Sequence, residues 1–324
     1  MGKKNVQAIN SALAALEKRF KEPVIQKMTD IRTDIEVTPS GRPDLDVILG
    51  GGYGVGKIVE IYSEEAMGKS GLALEAIKEC QSLGGIAAFI DAEHALNTEY
   101  CEQIGVDVDA LYLSQPSFGE QAFEAIRALI GTGQIDLIVV DSVSALVPKA
   151  ELEGESGQAH MAVQARMMSQ GMKLIVAAAS DNKCTVIFLN QLRSTLAMYG
   201  APKKTTGGNA LKFYATQRLE LKRKGWLKEG EQIIGFNQQI KVVKNKLAPP
   251  FQILENDIVY GKGVDALAGL IEACVFEGVM IKKGAFYYYK ETRLAQGAKK
   301  LRIALEDNPD LVDELRTELN KIKK

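Results

Sequence analysis

Gly68-Lys69-Ser70 are the residues best placed to do chemistry. An apolar run, Ile58, Val59, Ile61 and Tyr62, precedes them, and a helical pattern through Leu72, Leu74 and Ile77 follows. Strand, glycine-containing turn, Lys-Ser and helix is the construction of a phosphate-binding loop. Its backbone N–H groups and the helix N-terminus present partial positive charge to an anion. Lys69 supplies a mobile cation for β- and γ-phosphates, and the Ser70 hydroxyl can ligate Mg²⁺. The full pattern, G-x-x-x-x-G-K-[ST], has Gly where this chain has Ser63, a residue that tolerates unusual backbone angles less readily. An ordinary strand-to-helix turn with a solvated lysine is the competing explanation.

Other strands favour the nucleotide site. Ala87-Ala88-Phe89-Ile90-Asp91 leads to Glu93, Leu137-Ile138-Val139-Val140 ends in Asp141, and Val186-Ile187-Phe188-Leu189 ends in Asn190-Gln191. Four apolar residues closed by Asp resemble a Walker B strand, whose carboxylate holds Mg²⁺. All these polar tips fall at strand C-termini, where open α/β sheets bind ligands. Strands alternate with helical patterns from Ile58 to about Val243, so the expected fold is α/β, with a mostly parallel twisted sheet covered on both faces.

Composition sets the bounds. At 324 residues the chain suits one large domain with an accessory one or two. Forty basic against 41 acidic residues give a net charge of −1, so any nucleic-acid surface must be local. No apolar run is long enough to span a membrane, and the start lacks a secretory pattern. Cys80, Cys101, Cys184 and Cys274 are scattered without a C-x-x-C, which fits a reducing, cytoplasmic setting.

Val6, Ile9, Leu13, Leu16 and Phe20 make one amphipathic terminal helix, suited to its own core or to another subunit. Two polar, glycine-bearing stretches, 151–160 and 193–209, interrupt the strand–helix alternation; such long loops usually carry function. After about Gly269 a small α/β module follows, closing with Asn308-Pro309, a helix cap with Pro at the first helical position. The expected division is 1–33 for the terminal-helix segment, which would suit oligomerisation, 34–268 for the nucleotide-binding core and 269–324 for a C-terminal domain.

The strings AAFIDAEHAL, DLIVVDSVSALVPKAELEGESG, ARMMSQGM, TTGGNALKFYA and KVVKNKLAPPF closely resemble the bacterial RecA recombinases, from the first helix to the last. The resemblance implies a RecA-like P-loop core that binds ATP and Mg²⁺ between subunits of a helical filament on single-stranded DNA. It implies pairing and exchange with double-stranded DNA, and repressor or accessory loader proteins as further partners. Residues 63–71 (Ser63, Glu64, Glu65, Ala66, Met67, Gly68, Lys69, Ser70 and Gly71) correspond to the phosphate loop, with Ser70 and Asp141 as the metal pair. Glu93 corresponds to the base that polarises water, Gln191 to the γ-phosphate sensor, and Tyr100 to the aromatic over the adenine. Lys244 and Lys246 alternate along a strand and correspond to lysines reaching the neighbouring subunit's ATP. Without the resemblance, the same pair reads as a solvated edge strand.

The irregular stretches coincide with the family's two DNA loops, about 153–161 and 192–206. The residues implied for DNA contact are Met161, Arg166, Met172, Lys173, Met198, Tyr199, Gly207, Gly208, Arg223 and Lys241. Phe213 falls on the path between nucleotide and DNA loop, although packing explains a buried Phe equally well. Departures centre on the Ser63-Glu64-Glu65-Ala66-Met67 string, whose carboxylates raise the electrostatic cost near ATP unless they point outward, and on a basic rather than acidic C-terminus. Two other readings compete: a filament former that binds ATP with little hydrolysis, and a ring-forming helicase motor, which should lack TTGGNALKFYA.

Overall fold

The computed structural model describes residues 6–21, 23–25, 27, 36–154, 161–193, 204–261 and 263–322. Two compact units make up the chain, Met1–Glu36 and Val37–Lys324. The first carries helix α1 (Val6–Phe20), whose stripe side chains Val6, Ile9 and Phe20 are exposed.

The second unit begins with a β-bridge, β1 (Val37–Thr38) with β2 (Tyr53–Gly54), around helix α2 (Pro43–Leu49). Then come β3 (Ile58–Ser63), α3 (Lys69–Ser82), β4 (Ala87–Asp91), α4 (Thr98–Ile104), β5 (Tyr112–Ser114), α5 (Gly119–Gly131) and β6 (Leu137–Asp141). After the one-turn α6 (Lys149–Leu152), the long α7 (Met161–Asp181) leads to β7 (Thr185–Arg193). A short β8 (Lys204–Thr205) and α8 (Ala210–Tyr214) precede β9 (Gln217–Glu229), β10 (Gln232–Asn245), β11 (Ile253–Val259) and β12 (Gly263–Val264).

The sheet runs β12-β11-β10-β9-β3-β7-β6-β4-β5. From β9 to β5 every pairing is parallel, whereas β9 through β12 continue it antiparallel. Apart from the exposed edge strand β5, the parallel half is buried on both faces, so its strands read as continuous apolar runs with alternating destinations. Val59, Ile61, Val139, Ile187 and Leu189 pack with Leu72, Leu74 and Ile77 of α3. Ile58, Ile138, Val140, Val186 and Phe188 pack with Phe123 and Ile126 of α5 and Met168, Met172 and Ile175 of α7. All four cysteines are buried and unbridged.

A third cluster gathers α9 (Ala266–Phe276), the three-stranded sheet of β13 (Ile281–Lys283), β14 (Phe286–Tyr289) and β15 (Thr292–Gln296), and helices α10 (Ala298–Glu306) and α11 (Pro309–Ile322). Asn308 caps α11 by accepting from Leu311 N at 3.2 Å. Leu315 and Leu319 are buried, while Ile322 stays exposed.

Candidate nucleotide site and DNA-facing segments

Parallel register assembles the site. Asp91 lies opposite Asp141, and Ser63 opposite Gln191, so four strand tips end in one row at the sheet's carboxyl edge. The loop leaving β3 reaches α3 through Gly68, whose φ of 82° is left-handed. A Cβ there would lie 2.8 Å from Gln238 Nε2, so this glycine is also needed for a close approach to β10. Ser63 is fully buried at the end of β3, and the positive φ in the loop falls on Ala66, at 56°. The serine is therefore accommodated as ordinary strand, and the backbone strain expected of it lies three residues later.

Lys69 folds back over the loop, and its Nζ donates to Ser63 Oγ and to the Glu64 carbonyl, both at 3.1 Å. Burial lowers the pKa of this ammonium, while Asp141, Glu93 and Glu65 raise it. Glu64 and Glu65 themselves are exposed at the loop's outer side. Lys69, Ser70 and the N-terminus of α3 thus converge as donors, an arrangement that fits a polyphosphate.

Ser70 Oγ donates to Asp141 Oδ2 at 2.7 Å, joining helix α3 to the tip of β6. Burial raises the Asp141 pKa to about 6; the Ser70 hydrogen bond opposes the shift, and Glu93 and Asp91 add to it. A half-desolvated carboxyl beside a serine hydroxyl is a donor set that a divalent cation suits, because the ion's charge offsets the burial penalty. Glu93, two residues past the end of β4, accepts from Ser142 Oγ and, at 3.1 Å, from Gln191 Nε2. Ser142 Oγ also lies 2.6 Å from Ser144 Oγ. Neither serine stood out in the sequence, since serines after a strand have no signature of their own.

Tyr100 sits on the first turn of α4, where Asn97 caps by accepting from Tyr100 N at 2.9 Å. Its ring is 42% exposed, and its hydroxyl occupies the space beside Gly71, where a Cβ would lie 2.9 Å away. Met67 contributes only backbone: its side chain is in the core, and its carbonyl accepts from Gln238 Nε2 at 2.6 Å. Behind Gln238 lies a buried network in which Arg42 Nη1 donates to Gln238 Oε1 at 3.5 Å and Arg42 pairs with Asp44 at 3.2 Å.

Lys244 lies on β10 and Lys246 one residue past its end at Asn245; burial first, and then the charge of Lys246, lower the pKa of the Lys244 ammonium, so the two remain neighbours. Lys244 Nζ donates to the carbonyls of Lys212 and Phe213, at 3.1 and 3.0 Å, capping the C-terminus of α8. Phe213 is 71% exposed, not buried as packing would have it.

Among the DNA-facing candidates, Arg166 and Lys173 are exposed on α7. Met172 corrects an expectation: it is fully buried against the sheet, since its position on α7 faces the core between those two cations. Gly207 and Gly208 both have positive φ, and a Cβ at either would lie 2.8 Å from Val143 and Ala165, respectively. Arg223 lies over the Trp226 ring at 3.8 Å, and Lys241 is half-buried opposite Glu220. Met198, Tyr199 and the side chain of Met161 lie outside the described residues.

A parallel sheet carrying a Lys-Ser loop, a buried acid and a polar tip at one carboxyl edge defines a P-loop nucleotide-binding core. The family model for the RecA N-terminal domain matches residues 7–265, and that for the RecA C-terminal domain matches 268–323. Protein RecA of Nocardioides sp. is 49% identical over 95% of this chain and 89% of its own length. Protein RecA of Kineococcus radiotolerans is also 49% identical, over 95% and 90%. That of Streptomyces coelicolor is 47% identical over 97% and 85%. The chain belongs to the RecA family, the DNA-dependent ATPases of recombination and DNA repair. Nucleotide binding, DNA binding and self-association come with that membership. Among the described residues no helix is long and apolar enough to cross a membrane.

Proposed function

We propose that the nucleotide is ATP with Mg²⁺, held on residues 63–71, and that its hydrolysis drives strand exchange by a filament on single-stranded DNA. The 2.7 Å contact between Ser70 and Asp141 carries this reading, because it brings a helix-start hydroxyl and a strand-tip acid to the point where a metal would join them. Bound Mg²⁺ would supply charge neutralisation at the transferring phosphoryl group. Lys69 would exchange Ser63 Oγ and the Glu64 carbonyl for phosphate oxygens. Glu93, oriented by Gln191 and Ser142, would accept a hydrogen bond from the attacking water. Tyr100 would cover the base. Lys244 and Lys246 would serve a neighbouring protomer's site, so turnover would require assembly.

DNA contact is assigned to Arg166, Lys173, Gly207, Gly208, Arg223 and Lys241, with the two irregular stretches as loops. Segment 1–33 would serve assembly, 34–268 the ATPase and 269–324 a C-terminal domain, in a cytoplasmic protein that also meets repressor or loader proteins. A second reading, binding with little hydrolysis, is favoured by one observation: Lys69 is engaged by its own loop. ATP hydrolysis with and without single-stranded DNA, across salt concentrations, separates the two. Strong stimulation that weakens with salt supports the recombinase; ATP-dependent DNA binding without turnover supports the second.

A further inference from the structure

We propose that Ser144 is a positioning residue for the hydrolysis centre, polarising Ser142 so that Glu93 presents one fixed carboxylate oxygen to the attacking water. The inference rests on reading Glu93 as the residue that accepts that water's hydrogen bond.

Glu93 is exposed past the end of β4, where an unrestrained glutamate samples several rotamers. Two donors restrain this one, and both reach the same oxygen. Ser142 Oγ and Gln191 Nε2 donate to Oε1, the second at 3.1 Å. Among the described residues Oε2 receives no donor, which leaves that oxygen to the water.

The direction of the serine contacts follows from counting protons. An ionised carboxylate only accepts, so the single proton on Ser142 Oγ is given to Glu93. Ser142 Oγ and Ser144 Oγ lie 2.6 Å apart, and the proton between them must then belong to Ser144. The chain runs one way, from Ser144 to Ser142 to Glu93. A hydroxyl that accepts a hydrogen bond becomes a stronger donor, because each bond in such a chain polarises the next. Ser142 is fully buried and Ser144 half-buried, so the local dielectric is low and the effect is not screened away.

The backbone brings both hydroxyls to one side without help from Ser144. Ser142 is extended, with φ −128° and ψ 162°, and the Val143 side chain between the two serines is buried in the core. A single 3₁₀ turn (Val143–Ala145) follows, in which Ala145 N donates to the Ser142 carbonyl at 3.0 Å and Leu146 N to that of Val143 at 3.3 Å. Gln164 Nε2 donates to the Val143 and Leu146 carbonyls at 3.3 and 3.2 Å. The Ser144 hydroxyl takes part in none of these bonds. Removing it leaves the turn standing and takes away only the donor to Ser142.

The test compares Ser144→Ala, Ser144→Thr, Ser142→Ala and the double alanine variant in the full chain, measuring kcat and KM for ATP with saturating oligo(dT), and Tm. The relay requires Ser144→Ala to lower kcat about fivefold, with KM for ATP within about twofold of the parent. Ser144→Thr, which keeps the hydroxyl, should restore most of the rate. Ser142→Ala should cost more, and adding Ser144→Ala to it should cost nothing further, because the second hydroxyl acts only through the first. Should Ser142→Ala fail to fold, the two variants at 144 still decide. A kcat within about twofold of the parent in Ser144→Ala overturns the proposal. So does an additive double variant, or failure of Thr to rescue, since either marks a purely structural role. Glu93→Gln guards the underlying reading: full turnover there misassigns the centre and the relay falls with it, whereas lost turnover beside an inert Ser144→Ala removes the relay alone.

Discussion

Gln238 Nε2 donates to the carbonyl of Met67 at 2.6 Å, so strand β10 holds the phosphate loop from beneath, across 171 positions of sequence. Gln238→Leu leaves that carbonyl without its donor and strips Arg42 of a partner, a loss of about 1–3 kcal/mol. The expected outcome is a KM for ATP raised about tenfold, with a smaller change in kcat. An unchanged KM would remove Gln238 from the loop's support.

Gly71 and Tyr100 share one space. Gly71→Ala would set a methyl 2.9 Å from the Tyr100 hydroxyl and push the ring outward. KM for ATP should rise roughly threefold, and Tyr100→Phe should relieve the effect, so that the pair is non-additive by about 1 kcal/mol in a double-mutant cycle. Simple additivity would mean that the ring's position does not matter to the nucleotide.

Glu75 carries a pH dependence. Burial, reinforced by Asp44 and opposed by Arg42, raises its carboxyl from 4.5 to about 7. Its Oε2 has no hydrogen-bond donor among the described residues, and Arg42 Nε is 3.9 Å away. With the folded pKa above the unfolded one, the stabilising contribution is complete below about 4.5 and drains away as pH rises through about 7. Glu75→Gln, neutral throughout, should therefore gain on the parent from pH 5 to 8, by on the order of 2 kcal/mol in unfolding free energy. A difference independent of pH in urea titrations would contradict the assignment.

Much of this site is local, and local features are legible in sequence. The Lys-Ser loop, the acid-tipped strands and the Asn308 cap each lie within a few residues of the signal that announces them. The fixed register of a parallel sheet then brings the tips together. What escaped was set by distance or by one-residue phase. Gln238 lies in a strand with no motif, and the antiparallel β9–β12 extension followed from tertiary pairing. Met172 sits one position before Lys173 on α7, which is enough to turn it from solvent to core. Lys246 fell outside its strand by a single residue.

Gly171 is a core-packing glycine in the middle of α7. A Cβ there would approach the Phe123 ring to 2.4 Å. Ala gains about 1 kcal/mol of helix propensity, but overpacking costs about 1–3. Gly171→Ala should lower the urea midpoint, and adding Phe123→Leu should turn the change into a gain. Stabilisation by the single change would show that α5 yields freely.

Lys244 has two employments, capping α8 in the free chain and, as proposed, serving a neighbour's nucleotide. Lys244→Met should cut kcat by at least about tenfold while leaving ATP affinity nearly intact. The remaining activity should lose its dependence on protein concentration. Unchanged turnover through the assembly range would remove Lys244 from the site.

Trp226 is the chain's one tryptophan, and the Arg223 guanidinium lies 3.8 Å from its ring centroid on the β9–β10 hairpin. The protein therefore carries a built-in optical reporter whose emission comes from a single known place. A phosphate backbone that draws Arg223 away leaves the indole bare, and the colour of its fluorescence registers the event without any label.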